Sequence, residues 1–184
     1  MRAKDSPYVV HLREIPASGL ERTYDLSGEF ARSALADTEA SPESARLGAE
    51  LTLHKSGVEV VARGRVDGEL DMVCSRCVGP ARVTIAAPFE ILFLPRDADV
   101  PEADDEDLEA DEPDVIAYDD ERIDLEETLR EELLLALPYA PLCKETCQGL
   151  CPTCGKDLND GPCDCPSDTP PIDDRLASLK NLKL

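Results

Sequence analysis

The chain is 184 residues long and carries 40 acids against 19 basic residues, a formal charge of −21 at pH 7. That length can bury a core in one domain with an appendage or in two small ones; with no tryptophan and 4% aromatics, the core must be mainly Leu, Val, Ile and Ala. No apolar run approaches the roughly 20 residues of a membrane span. The opening Met-Arg-Ala-Lys-Asp-Ser-Pro leads into no apolar signal stretch, so a cytoplasmic, reducing location without membrane association is expected.

Strands are predicted at Tyr8–Leu12 and Thr23–Leu26, and Ser27 is placed to cap a short helix over Glu29–Leu35. Residues 37–46 are loop-like in composition. Four apolar, partly alternating runs follow, at Leu47–His54, Val58–Arg65, Gly68–Met72 and Arg82–Leu94. Lys55-Ser56-Gly57 and Val66-Asp67-Gly68 punctuate them as turns, which implies antiparallel hairpins. Cys74-Ser-Arg-Cys77 falls at the junction before the last run.

The acidity is concentrated. Residues 97–132 hold 19 acids and 2 arginines, a net of −17, which leaves −4 for the rest. At its start, 96–114 has few apolar groups and strong like-charge repulsion, the pattern of a disordered loop. It reads as a solvated loop or as a decoy polyanion for a basic partner. A brief strand, Val115–Tyr118, follows. Asp124 with Glu127 three residues on forms a capping box, and Leu125, Leu129, Leu133 and Ala136 place one apolar face on a helix over 124–137 that Pro138 ends. After Pro170-Pro171, Asp173 opens a terminal helix carrying Leu176, Leu179 and Leu182.

Between those helices stand six of the eight cysteines: Cys143, Cys147, Cys151, Cys154, Cys163 and Cys165. Thiols so closely spaced in a reducing compartment suit a metal. Zinc takes four ligands, and each Cys-x2-Cys pair supplies half a tetrahedron locally. In Cys151-Pro-Thr-Cys154-Gly155 the glycine relieves the tight turn after the second ligand. The preferred set joins Cys151 and Cys154 with Cys163 and one more thiol, Cys165 or Cys147. A second set would join Cys143 and Cys147 to the distant Cys74 and Cys77. Four thiolates close the coordination sphere, so the zinc expected here is structural.

Catalytic constellations are missing from the sequence: no glycine-rich phosphate loop, no nucleophile elbow, and only His11 and His54 as histidines. The competing reading is a redox-responsive thiol protein or chaperone using Cys74 and Cys77. A thioredoxin-type pair opens a helix after a strand, whereas strand-like sequence flanks this pair on both sides. Direct RNA contact would fall to Lys55, Arg63, Arg65, Arg76 and Arg82, which Glu59, Asp67, Glu69 and Asp71 nearly cancel.

Four segments in order resemble the bacterial YceD family, the large ribosomal RNA subunit accumulation proteins. They are Gly68-Glu-Leu-Asp-Met-Val-Cys74-Ser-Arg-Cys77, Leu133-Leu-Leu-Ala-Leu-Pro138, Cys147-Gln-Gly-Leu-Cys151-Pro-Thr-Cys154-Gly-Lys-Asp-Leu-Asn159 and Asp174-Arg-Leu-Ala-Ser-Leu-Lys180. The resemblance implies a non-enzymatic role in accumulation or processing of large-subunit (23S) rRNA. Its partners would be that rRNA, a ribosomal protein or a pre-50S particle. Some members of the family keep equivalents of Cys74 and Cys77 without the C-terminal run.

The expected architecture is α+β: an antiparallel sheet or half-barrel with one packed helix. One domain spans 1–138, including helix 124–137 and acidic loop 96–114, and a zinc-binding cysteine module with its terminal helix spans 139–184.

Overall fold

The computed structural model describes residues 6–96 and 114–165. Among these residues, seven strands and two α-helices follow one another as β1 (Val9–His11), β2 (Leu20–Asp25), α1 (Glu29–Ala34), β3 (Ala40–Ser56), β4 (Glu59–Val73), β5 (Pro80–Pro95), β6 (Asp114–Tyr118), β7 (Arg122–Asp124) and α2 (Leu125–Leu135). One five-stranded sheet has the order β2-β3-β4-β5-β6, and β1 pairs with β7 in a two-stranded sheet. All neighbours are antiparallel except β5 and β6, which run parallel from Ile91↔Asp114 to Pro95↔Tyr118. The acidic loop, apart from its end residues Arg96 and Asp114, and the terminal helix from Asp173 lie outside the described residues.

Period-two burial makes the sheet. Leu47, Ala49, Leu51 and Leu53 of β3, Val60, Ala62, Val66 and Leu70 of β4, and Ile85, Phe89, Ile91 and Phe93 of β5 are buried on one face. The helix α2 joins this core through Leu125, Leu129 and Leu133, each at most 1% exposed. Asp124 caps it by accepting from Glu126 N at 3.1 Å. The expected return contact from Glu127 is not made, because that carboxylate accepts from Arg130 at 3.1 Å. Asp124→Ala is expected to cost about 1 kcal/mol, read as a lowered urea midpoint with unchanged slope.

Three local expectations are corrected. The Val66-Asp67-Gly68 turn does not exist: β4 runs unbroken from Glu59 to Val73. The irregularity is on its partner, where pairing jumps from Ser41↔Asp71 to Arg46↔Glu69, so that Pro42–Ala45 bulge out of β3. Residues 40–46 are therefore strand and bulge, not loop. Ser27 does not cap α1, whose N-cap is Gly28; its Oγ accepts from Leu47 N at 3.1 Å and donates to Leu47 O at 3.3 Å. The hydroxyl is used to hold the chain against the β3 backbone.

The β4–β5 hairpin delivers the first pair of cysteines. Its long strands carry Val73 and Pro80 to one end of the sheet, and the six residues between them hold Cys74 and Cys77.

Candidate metal centres

The eight cysteines gather into two groups of four, Cys74 with Cys77, Cys143 and Cys147, and Cys151 with Cys154, Cys163 and Cys165. Within each group all sulfurs lie within 4.8 Å of one another. Of the two candidates for the fourth place beside Cys151, Cys154 and Cys163, the structure puts Cys165 there; Cys147 stands in the other group.

Each group is built from short turns that bend backbone amides toward sulfur. In the first, Val78 N donates to Cys74 O at 2.9 Å and Cys74 N to Gly79 O at 2.8 Å, closing the Cys74–Gly79 turn. In the second, Gly155 N donates to Cys151 O at 2.9 Å. The two turns are counterparts, and the residue after each Cys-x2-Cys is left-handed: Gly155 at φ 71° and Val78 at φ 60°. Glycine adopts that conformation freely, while a β-branched residue is strained there.

The segment after Pro138 is tied to the hairpin end by its backbone. Ser75 N donates to Pro141 O at 2.9 Å, Leu150 N to Arg76 O at 3.1 Å, and the Arg76 guanidinium to Cys147 O at 3.0 Å. Gly149, at φ 73°, lets the chain pass close to Arg76: a Cβ there would meet Arg76 O at 3.1 Å. Cys74, Cys77, Cys147 and Ala81 form a small buried cluster with Leu142 against it.

The donor geometry fits a tetrahedral ion. Four thiolates at about 2.3 Å from zinc stand about 3.8 Å apart. Cys74 Sγ and Cys147 Sγ are 3.8 Å apart, and Cys77 Sγ and Cys143 Sγ 3.6 Å. These two sets could hold a metal ion.

The proton balance points the same way. Amides of Cys77, Cys143 and Arg76 aimed at its sulfur draw the Cys74 thiol down to about 6, and amides of Cys154 and Thr153 do the same for Cys151, also to about 6. Cys143, sharing its proton with Cys147 and partly desolvated, is pushed up to about 12, and Cys165 reaches about 12 through Cys154 and desolvation. Each set thus holds an easily formed thiolate beside a thiol that keeps its proton, because adjacent thiolates repel. A dication removes that repulsion.

Asn159 is a contributor to which sequence reasoning assigned no role. It sits in a 3-10 turn, Leu158–Asp160, that Asp157 caps by accepting from Asn159 N at 2.8 Å. Its Nδ2 donates to Cys147 Sγ at 3.4 Å, and its Oδ1 accepts from Gln148 N at 3.0 Å. The cap-type Asp-Leu-Asn directly after the second turn was the available signal.

The cations considered for RNA contact are mostly engaged. Arg63 pairs with Glu90 at 2.7 Å, Arg65 with Asp67 at 3.2 Å, and Arg82 with Glu69 at 3.0 Å and Asp71 at 3.1 Å. Lys55 Nζ donates to Leu12 O at 3.1 Å.

A sheet protein whose hairpin end meets a later cysteine-rich segment at one metal-type thiol set, with a second set inside that segment, is the class these features define. The chain belongs to the YceD family: the family described as "Large ribosomal RNA subunit accumulation protein YceD" matches residues 62–183. That description links it to accumulation of large-subunit ribosomal RNA and names no reaction. The chain is 33% identical over 123 residues to the uncharacterized protein Rv2926c of Mycobacterium tuberculosis, a match covering 67% of this chain and 56% of that protein. It is 27% identical over 130 residues to the uncharacterized protein ML1660 of Mycobacterium leprae, covering 64% and 57%. The match thus spans little more than half the length of these relatives. No solved structure matches the chain. Among the described residues, no helix is long and apolar enough to cross a membrane.

Proposed function

We propose that this protein supports accumulation or processing of 23S rRNA in the cytoplasm by binding, without catalysis, to that rRNA or to a ribosomal protein in a pre-50S particle. Both cysteine sets hold zinc in this reading, and the zinc is structural. The family description carries the biological role. The chemistry of the sets supports the structural one: four thiolates leave no coordination position for a substrate. Cys74 at 1% exposure and Cys77 at 9% are poorly placed to exchange with a disulfide, which favours ligation over redox chemistry at this pair. The sheet domain over 1–138 and the cysteine module over 139–184 then act as one unit, joined at the Cys74 set.

Crosslinking in cells tests the role. The expected result is enrichment of 23S rRNA or of large-subunit ribosomal proteins; a partner list without rRNA, ribosomal proteins or pre-50S particles would sink the proposal. Elemental analysis of the purified chain is expected to give two zinc atoms, and one after Cys74→Ser with Cys77→Ser.

A further inference from the structure

The two sets are not separate in the chain. Cys147, the last ligand of the first, and Cys151, the first ligand of the second, are joined by Gln148-Gly149-Leu150. That linker is held from both sides. On one, Leu150 N donates to Arg76 O at 3.1 Å, in the loop of the first set. On the other, Leu158 N donates to Gly149 O at 2.9 Å and Leu150 bridges to Asp157, in the loop between the two ligand pairs of the second set.

Asn159 lies in that same loop, between Cys154 and Cys163, yet its side chain serves the other set. Its Nδ2 donates to Cys147 Sγ at 3.4 Å and to Asp157 Oδ1 at 2.7 Å, while its Oδ1 accepts from Gln148 N at 3.0 Å. Every polar group of the amide is thus committed to holding one direction. Closing the second set fixes both ends of residues 155–162, and with them the position of this donor. A fixed N–H on a ligating sulfur holds that sulfur where the ion needs it. The first set, by contrast, must bring together residues 66 or more positions apart, so preorganisation counts for more there.

We propose that Asn159 is a positioning residue that couples the two sets, so that metal in the Cys151 set raises the affinity of the Cys74 set. The inference rests on the reading of both sets as zinc sites. By linkage the effect is reciprocal: metal in the Cys74 set strengthens the Cys151 set by the same factor.

The test uses the full chain in four forms: wild type, Asn159→Ala, Cys163→Ser with Cys165→Ser, and all three changes together. Bound zinc is counted by elemental analysis. Affinity is measured by competition with a chelator, and alkylation with mass spectrometry assigns each release to its thiols. Asn159→Ala is expected to keep two atoms per chain and to weaken the Cys74 set roughly tenfold. Removing the Cys163 and Cys165 ligands is expected to weaken it by a similar factor, and the combined variant no further. Asn159→Asp, which keeps the acceptor for Gln148 N and loses the donor to Cys147, is expected to follow Asn159→Ala. An unchanged Cys74 set in Asn159→Ala, or fully additive losses in the combined variant, overturns the coupling and leaves the zinc reading standing. Wild type that binds no zinc overturns both.

Discussion

Removing metal from the full chain is expected to release residues 139–165 while the sheet stays folded. Among the described residues, the large core cluster draws on the strands and on both helices and contains none beyond Leu137. After that point the longest regular element among the described residues is the 3-10 turn at Leu158–Asp160. The buried side chains there include Cys147 and Cys151, with Leu142 packed against the Cys74 cluster. The segment therefore has almost no apolar interior of its own, and its fold rests on the sulfur sets. Zinc in such small folds supplies on the order of 10 kcal/mol, whereas the segment's backbone hydrogen bonds, at about 1 kcal/mol each, are outweighed by the entropy of ordering the chain. Hydrogen exchange reads the outcome. On chelation the amides of Ser75, Leu150, Cys151 and Leu158 should lose protection, while those of β4 between Val60 and Val66 and of β5 between Phe89 and Phe93 should keep it. Unchanged protection at Leu150 in metal-free protein would show that the segment stands without its ion.

Replacing Gly68 with valine is expected to damage the sheet severely. This glycine sits at φ 139° and pairs with Leu47, two residues before Leu70, which faces the bulge of β3. A Cβ there would collide with Arg46 O and would stand 2.9 Å from Leu47 Cα. Both neighbours are backbone, so no rotamer change relieves the contact. The cost combines a backbone conformation forbidden to a β-branched residue with overpacking, together roughly 3 kcal/mol or more. Gly57→Ala is the control: that glycine is also left-handed at φ 63°, but nothing lies within 4 Å of its Cβ position, so about 1–2 kcal/mol is expected. Urea unfolding of the two variants separates the steric part from the conformational part. Because β4 delivers Cys74 to the hairpin end, Gly68→Val should also lower metal content, which Gly57→Ala should not.

Gly68 also shows what a sequence can and cannot disclose. Val66-Asp67-Gly68 has the composition of a tight turn, and local chemistry cannot separate a turn from a strand whose partner bulges. The deciding facts, Leu70 continuing the buried face beyond Val66 and Pro42–Ala45 looping out across from it, are long-range. The leucines of α2 were legible because helical spacing writes its buried face into the local order. So was the position of Cys74 and Cys77 at a strand junction. The division of the thiols was half legible. Spacing names Cys151 with Cys154, but Cys147, four residues before that pair, and Cys165, two after Cys163, both stand within reach. Only the closeness of Pro141 to Ser75 and of Leu150 to Arg76 draws Cys147 toward the hairpin. Asn159 stands at the end of a cysteine motif, but its role is invisible there, since a hydrogen bond to sulfur leaves no periodicity.

The parallel pairing of β6 with β5 limits how the acidic stretch can be studied. Antiparallel neighbours can be joined by two residues, but parallel ones need a crossover that returns to the starting end. Here Asp114 lies beside Ile91 while the preceding strand ends at Pro95 beside Tyr118. The two ends to be joined therefore stand four residues of strand apart, roughly 13 Å. Excising residues 97–113 and splicing Arg96 to Asp114 would break that circuit and strip the edge strand from the sheet, whatever the charges do. Their contribution is isolated by exchanging Asp and Glu for Asn and Gln at constant length, which alters the field and leaves the route intact.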